Sequence, residues 1–156
     1  MSVAVWRIAT ETLAYKADDM SGKGAALSGG RWNAIGTPLL YCASNISLAA
    51  LETLSHLRSG SLPLNRFLIH VSIPEEVWDA REEPRRLPGG WNAIPAGLTS
   101  EAFGERWIRE RRSALLVVPS VIVPEEKNIL INPSHPDTAR IKAKTGRRWD
   151  YDPRLF

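Results

Sequence analysis

A chain of 156 residues can hold one domain with a sizeable core and is too short for two comfortable ones. With 44% hydrophobic and 24% charged residues it reads as an ordinary globular protein, and it lacks the run of about 18 apolar residues that a helical membrane span needs. The net charge of +3 suits an anionic ligand such as a dinucleotide, and would also suit nucleic acid. The single cysteine, Cys42, cannot form an internal disulfide, and residues 1–7 lack the layout of a secretory signal, so the expected location is the cytoplasm.

In chain order, residues 3–9 alternate around Trp6 and predict a first strand. Residues 21–30, rich in glycine and serine, read as a flexible loop. The short apolar run 38–43 predicts a buried strand. Ser44 or Asn45 can then cap a helix over about 46–58, with Ile46, Ala50, Leu54 and Leu57 as its core-facing stripe. On that register Glu52 lies nearly opposite the stripe, beside Leu48 and His56. Residues 66–73 give the cleanest strand pattern, with Phe67, Ile69, Val71 and Ile73 on one face.

The segment 74–97 is rich in proline, glycine and charge and reads as connection with one short turn at most. A helix is expected over 100–112, carrying Phe103 and Trp107 one turn apart. Glu105 and Glu110 interrupt its arginines, the mixture of a solvated helix face rather than a nucleic-acid patch. Segments 114–118 and 121–123 are strand-like and split by Pro119-Ser120, and 128–132 is a further strand ended by Pro133 and Pro136. The tail adds a helical turn and an edge strand. Trp32, Trp107 and Trp149 are expected in the core. Strands and helices mix without strict alternation, which favours a single α+β domain over residues 1–156, with small mixed or antiparallel sheets flanked by short helices.

Motif spacing excludes several chemistries. Gly22-Lys23-Gly24 begins like a dinucleotide fingerprint but lacks the third glycine and the strand–turn–helix context. There is no Gly-Lys-Ser/Thr loop and no Gly-x-Ser-x-Gly elbow. His56, His70 and His135 stand alone, without the spacing of a metal site, so no metal is expected.

Several segments together resemble the RES domain, a family named for an arginine, a glutamate and a serine. The likeness runs through Trp6-Arg7-Ile8, Gly29-Gly30-Arg31-Trp32-Asn33, Leu40-Tyr41-Cys42-Ala43 and Leu48-Ala49-Ala50-Leu51-Glu52 with His56. It resumes from Trp107-Ile108 to Ser113, at Val118-Pro119-Ser120, and from Asn128 to the Asn-Pro-x-His-Pro ending at Asn132-Pro133-Ser134-His135-Pro136. The segment 74–97 matches least. The resemblance implies a fold like that of ADP-ribosyltransferase toxins, an activity that destroys NAD by hydrolysis or phosphorolysis, and a cognate Xre-type antitoxin that blocks the site. NAD is then the substrate and no cofactor is expected. Monomer and homodimer both stay open.

The chemistry suits such a site. The nicotinamide of NAD leaves as a neutral molecule, so no general acid is needed and one carboxylate can stabilise the oxocarbenium-like ribose. Glu52 matches the family's glutamate, against the plainer alternative of a solvated helix residue. Arg31 matches the arginine, follows two glycines, and could grip the pyrophosphate through two parallel bonds. Arg7 could serve likewise. Tyr41 could stack on nicotinamide or bond a ribose hydroxyl, or simply be a core tyrosine. Ser113 completes the trio as a group for phosphate or carboxamide, the alternative being a helix-end cap, and His56 could support Glu52. For Asn128 and His135 a turn-making role is the stronger reading. The competing functions are an ADP-ribosyltransferase acting on a macromolecule, a nucleic-acid-binding or RNase module, and a non-enzymatic interaction protein.

Overall fold

The computed structural model describes residues 1–56 and 64–155. Strands β1 (Ser2–Thr10), β2 (Leu40–Ala43), β3 (Arg66–Pro74), β4 (Leu115–Pro119), β5 (Lys127–Ile131) and β6 (Lys142–Arg148) form one sheet in the order β4-β5-β2-β1-β3-β6, with every pairing antiparallel. Around it lie helices α1 (Lys23–Ser28), α2 (Ile46–Leu54), α3 (Glu75–Asp79) and α4 (Leu98–Glu110), with 3-10 turns at Pro136–Arg140 and Pro153–Leu155. The α+β expectation holds, with one sheet in place of several. No helix among the described residues is long and apolar enough to cross a membrane.

The sheet is nearly divided at its centre. β1 and β3 pair along their whole length, from Ser2↔Pro74 to Thr10↔Arg66, whereas β1 and β2 meet at the single pair Trp6↔Ala43. Past that seam the β1-β3-β6 wing and the β2-β5-β4 wing part, and the residues on both edges line a cleft. One face of the sheet buries Val5, Ala9, Leu40, Cys42, Ile69, Val71, Ile73, Leu115, Val117, Ile129 and Ile131 together. On the other face Leu116, Val118 and Leu130 pack with Trp32 and with Trp107 and Ile108 of α4, while Ile8, Ala43 and Leu68 pack with Leu48 and Ala49 of α2. With both faces covered, β4 is buried at four consecutive positions, 115–118, which is why its sequence shows an apolar run rather than alternation.

Asn45 caps α2 as anticipated, its Oδ1 accepting from Leu48 N at 2.8 Å. The buried face of this helix differs from the expected stripe. Leu48 and Ala49 are buried, while Ile46, Ala50 and Leu54 are only partly so. The sequence Ile-Ser-Leu-Ala-Ala-Leu-Glu-Thr-Leu is apolar almost all round, so its period cannot choose a face. The consequence is that Glu52, one turn after Leu48, is half-buried against the sheet instead of facing solvent. Leu57 and Arg58 lie outside the described residues.

Two further expectations change. Residues 23–28 form α1 where a loop was expected: Ala25, Ala26 and Leu27 are good helix formers, and Gly29 N–H closes the turn on Ala25 O at 2.7 Å. Residues 121–123 form no strand, because the Ser120 hydroxyl accepts from Ile122 N and Val123 N, both at 3.1 Å, and holds the chain in a turn. Within 74–97 the chain is mostly connection, with α3 as its one short helix. Close packing of α4 depends on Gly104, where a Cβ would stand 1.9 Å from the Trp32 carbonyl oxygen.

Candidate active site

The cleft between the wings has a volume of about 890 Å³ and takes its walls from β1, β2, α1, α2 and the segments around Arg31, Ile94 and Ser120. Arg7, Arg31, Tyr41, Glu52, His56, Arg66 and Asn128 all contribute to those walls. Residues from distant parts of the sequence therefore converge on one space.

Glu52 is anchored by a residue sequence reasoning did not select for the site. Its Oε1 accepts a hydrogen bond of 2.7 Å from Ser120 Oγ, and Ser120 is fully buried. Ser120 follows the end of β4, and its sequence signals were the Pro-Ser interruption of an apolar run and its place in the family-like segment Val118-Pro119-Ser120, neither of which assigned it a role. Ser113, the serine expected to complete the trio, sits elsewhere. It is buried between α4 and β4, accepts from Trp107 Nε1 at 3.0 Å and donates to Leu115 O at 2.8 Å. Both ends of its hydroxyl are engaged in fixing that junction, and it does not reach the cleft wall.

Arg31 stands within electrostatic reach of Glu52 and Tyr41. Burial pulls its guanidinium below the ordinary arginine range, and the two oxygen-bearing groups oppose that shift. Its Nη1 donates to two backbone carbonyls, Trp91 O at 2.9 Å and Ala93 O at 2.8 Å. Trp91 also stacks on Trp32, with ring centroids 6.2 Å apart. Arg31 thus ties the segment that follows Gly90 to the cleft mouth, where Ile94, Pro95 and Ala96 form part of the wall.

Tyr41 braces the Gly-Gly-Arg-Trp-Asn turn. Its hydroxyl donates to Asn33 Oδ1 at 2.6 Å and accepts from Trp32 N at 3.1 Å. Asn33, fully buried, donates onward to Ala25 O at 2.9 Å and Thr37 O at 3.0 Å. Burial raises the Tyr41 phenol far above its usual range, so it stays neutral. Gly30 is required here, since a Cβ would lie 2.6 Å from the Tyr41 oxygen. Glu105 of α4 fixes the other side of the turn, accepting from Ala34 N at 3.1 Å and from Thr37 Oγ1 at 2.8 Å, a structural use of a residue expected on the solvated face.

Arg7 enters the cleft from β1, and its Nε and Nη1 are buried without a hydrogen-bond partner among the described residues. Such donors are costly to bury and mark a place where a ligand acceptor fits. Cys42, across the seam, is fully buried, and its thiol is pushed up to about 11 by that burial, with Arg7 pulling the other way. His56 is exposed at the cleft edge, and its backbone N–H donates to Thr53 O at 3.1 Å. Asn128 makes no turn: it lies within β5 on the cleft wall and donates to Cys42 O at 3.4 Å, whereas His135 Nδ1 accepts from Asp137 N at 3.0 Å and caps the following 3-10 turn, the turn-making role anticipated for it. Groups of three or more His, Cys, Asp or Glu able to hold a metal are absent among the described residues.

The cleft between the sheet wings thus combines arginines with a serine-held carboxylate, and comparison with known proteins gives the family. Residues 4–154 match the RES domain, and the chain belongs to that family. It is 54% identical to "Prs ADP-ribosylating toxin" of Sphingobium sp. (strain YBL2), an alignment covering 100% of this chain and 98% of that protein. It is 34% identical to "Toxin Res" of Pseudomonas putida over 97% of this chain and 99% of the relative. In fold it resembles a chain of the solved M. tuberculosis MbcT-MbcA toxin-antitoxin complex, with a TM-score of 0.64 over 99% of this chain and 87% of that one, at 15% identity.

Proposed function

We propose that this chain is the toxin of a toxin–antitoxin pair and that it cleaves the nicotinamide–ribose bond of NAD. The observation that carries this reading is the Glu52 carboxylate, half-buried in the cleft and held by Ser120 within electrostatic reach of Arg31. The bonding pair of the C–N bond leaves with nicotinamide, and positive charge grows on the ribose. Glu52 supplies a fixed negative charge at that point. Its orientation is set before the reaction, so little reorganisation opposes the charge development. Arg31 shapes the mouth, and Tyr41 keeps the turn that presents it. Arg7 binds the anionic part of the substrate with its Nε and Nη1 donors, which the described residues leave unpaired.

The acceptor completes the reaction: water gives ADP-ribose, and phosphate gives its phosphorylated form. The name of the Sphingobium relative favours a second reading, transfer of ADP-ribose to a protein, in that case Prs. Incubating the purified chain with NAD, with and without phosphate, and separating the products decides among them. Free nicotinamide with ADP-ribose or its phosphate supports plain cleavage; label retained on added Prs supports transfer. Unchanged NAD after long incubation, with antitoxin demonstrably absent, overturns the proposal.

The MbcT-MbcA complex supports a protein antitoxin as partner, and an Xre-type protein covering the cleft is the form we propose. The cytoplasm, where an NAD-depleting toxin would meet its substrate, is the location we propose for the activity. Nucleic acid is a poorer partner, since Arg106 pairs with Glu110 and Arg112 with Glu82 and Glu110 on and beside α4. Expression of the chain alone should slow growth and lower cellular NAD. Normal growth and normal NAD would remove the toxin reading.

A further inference from the structure

We infer that Arg66 forms an outer anion subsite of the same cleft and binds a phosphoryl group of the dinucleotide. The inference rests on the NAD reading and assigns a residue that neither sequence motif nor family resemblance singled out. Arg66 opens β3 and pairs with Thr10, the last residue of β1. That is the end of β1 four residues beyond the Trp6↔Ala43 seam, a span of about 13 Å at the usual rise of a strand. It shares the wall there with Thr10, Thr53 and His56.

The Arg66 Nε is buried and has no hydrogen-bond partner among the described residues. No carboxylate of those residues forms an ion pair with it. Trp149, whose backbone N–H donates to Arg66 O at 2.8 Å, fixes the backbone of Arg66 from outside the cleft wall. Burying a guanidinium donor without an acceptor loses its hydration with nothing in return, so the arrangement fits a site completed by an anion. Arg31 is the poorer grip, because its Nη1 is already engaged by the Trp91 and Ala93 carbonyls. The pyrophosphate is the anionic group of NAD, and Arg66 brings to the outer end of the cleft wall a buried guanidinium donor that the described residues leave unpartnered.

The test compares the parent chain with Arg66→Gln and Arg66→Lys. Melting temperature, affinity for inorganic pyrophosphate and for ADP-ribose, and kcat and KM for NAD are measured. Loss of a charge-assisted contact should weaken both ligands by roughly 10-fold or more in Arg66→Gln, and KM should rise more than kcat falls. A folded Arg66→Gln with parental pyrophosphate affinity and parental KM overturns the subsite. If Arg66→Gln does not fold, Arg66→Lys decides: a lysine ammonium lacks the planar fork and should bind pyrophosphate several-fold more weakly, roughly 3-fold or more, so parental affinity overturns the inference. The two readings fail separately. Pyrophosphate bound through Arg66 by a parent that leaves NAD intact supports the phosphoryl subsite and overturns NAD cleavage. Normal NAD turnover with parental KM in Arg66→Gln does the reverse.

Discussion

Ser120 donates the proton of its hydroxyl to Glu52 Oε1 at 2.7 Å, while the N–H groups of Ile122 and Val123, each at 3.1 Å, occupy the acceptor side of the same oxygen. A hydroxyl has one proton and two lone pairs, so this one is fully used and its proton is directed to the carboxylate. Ser120 therefore acts as a positioning residue for Glu52. In Ser120→Ala, turnover should fall about 10-fold, or about 1.4 kcal/mol, with some loss of stability from the two freed N–H groups. A double-mutant cycle with Glu52→Gln checks the assignment. If Ser120 works through Glu52, the double variant should lose little more than Glu52→Gln alone; additive losses would make Ser120 independent of it.

Glu52→Gln keeps the shape of the side chain and can still accept from Ser120, but it removes the negative charge. Turnover of NAD should drop by about 100-fold or more while binding of NAD changes far less, because the stabilised charge exists only in the transition state. Product formation and NAD affinity, measured side by side on the folded variant, check this. Parental turnover would eliminate the mechanism.

Ser113→Ala should behave oppositely to Ser120→Ala. It leaves Trp107 Nε1, in a fully buried side chain, without its acceptor, and stability should fall by about 1–3 kcal/mol. Turnover by the folded fraction should stay within about 2-fold of the parent, as expected for a substitution outside the cleft. Thermal unfolding and NAD turnover on the same preparation separate the two serines.

Gly104→Ala places a methyl group against the backbone of Trp32, where the nearest atom would be 1.9 Å away. Backbone cannot rotate aside as a flexible side chain can, so α4 must move off the Trp32 turn. The loss should exceed the usual cost of about 1–3 kcal/mol for overpacking. Melting temperature and soluble yield report it, and a parental melting temperature would show that α4 docks differently.

Alkaline pH should destabilise the chain. Burial holds the Cys42 thiol at about 11, against its ordinary 9.0, and raises the Tyr41 phenol as well. Both groups bind their protons more tightly folded than unfolded. Their contribution is complete below the unfolded values and is lost as pH climbs through the folded ones. Stability measured by denaturant titration should therefore decline from about pH 9 upward. Native Cys42 should resist alkylation at pH 8 and react on unfolding, and rapid labelling of the native chain would contradict its burial.

Much of the local structure was legible in the sequence. The alternation of Phe67, Ile69, Val71 and Ile73 predicts β3, and three of these, Ile69, Val71 and Ile73, are completely buried. Asn45 before an apolar run predicts the cap of α2, and Phe103 with Trp107 predicts α4. These signals are local, set by side chains within one turn or one strand of each other. The order of family-like segments gave Arg31, Tyr41 and Glu52, which the fold does bring to one cleft. What the sequence alone left undecided involves residues far apart in the chain. Which face α2 buries, and so whether Glu52 meets solvent or sheet, depends on the seam between β1 and β2. Which serine reaches Glu52 depends on a hydrogen bond between residues 68 positions apart, and what holds Arg31 on contacts across 60 and 62. Periodicity carries no information across such distances. Only the packing of the two wings places those atoms together, and the cleft that gives them a function exists because β1 and β2 pair at one point and then separate.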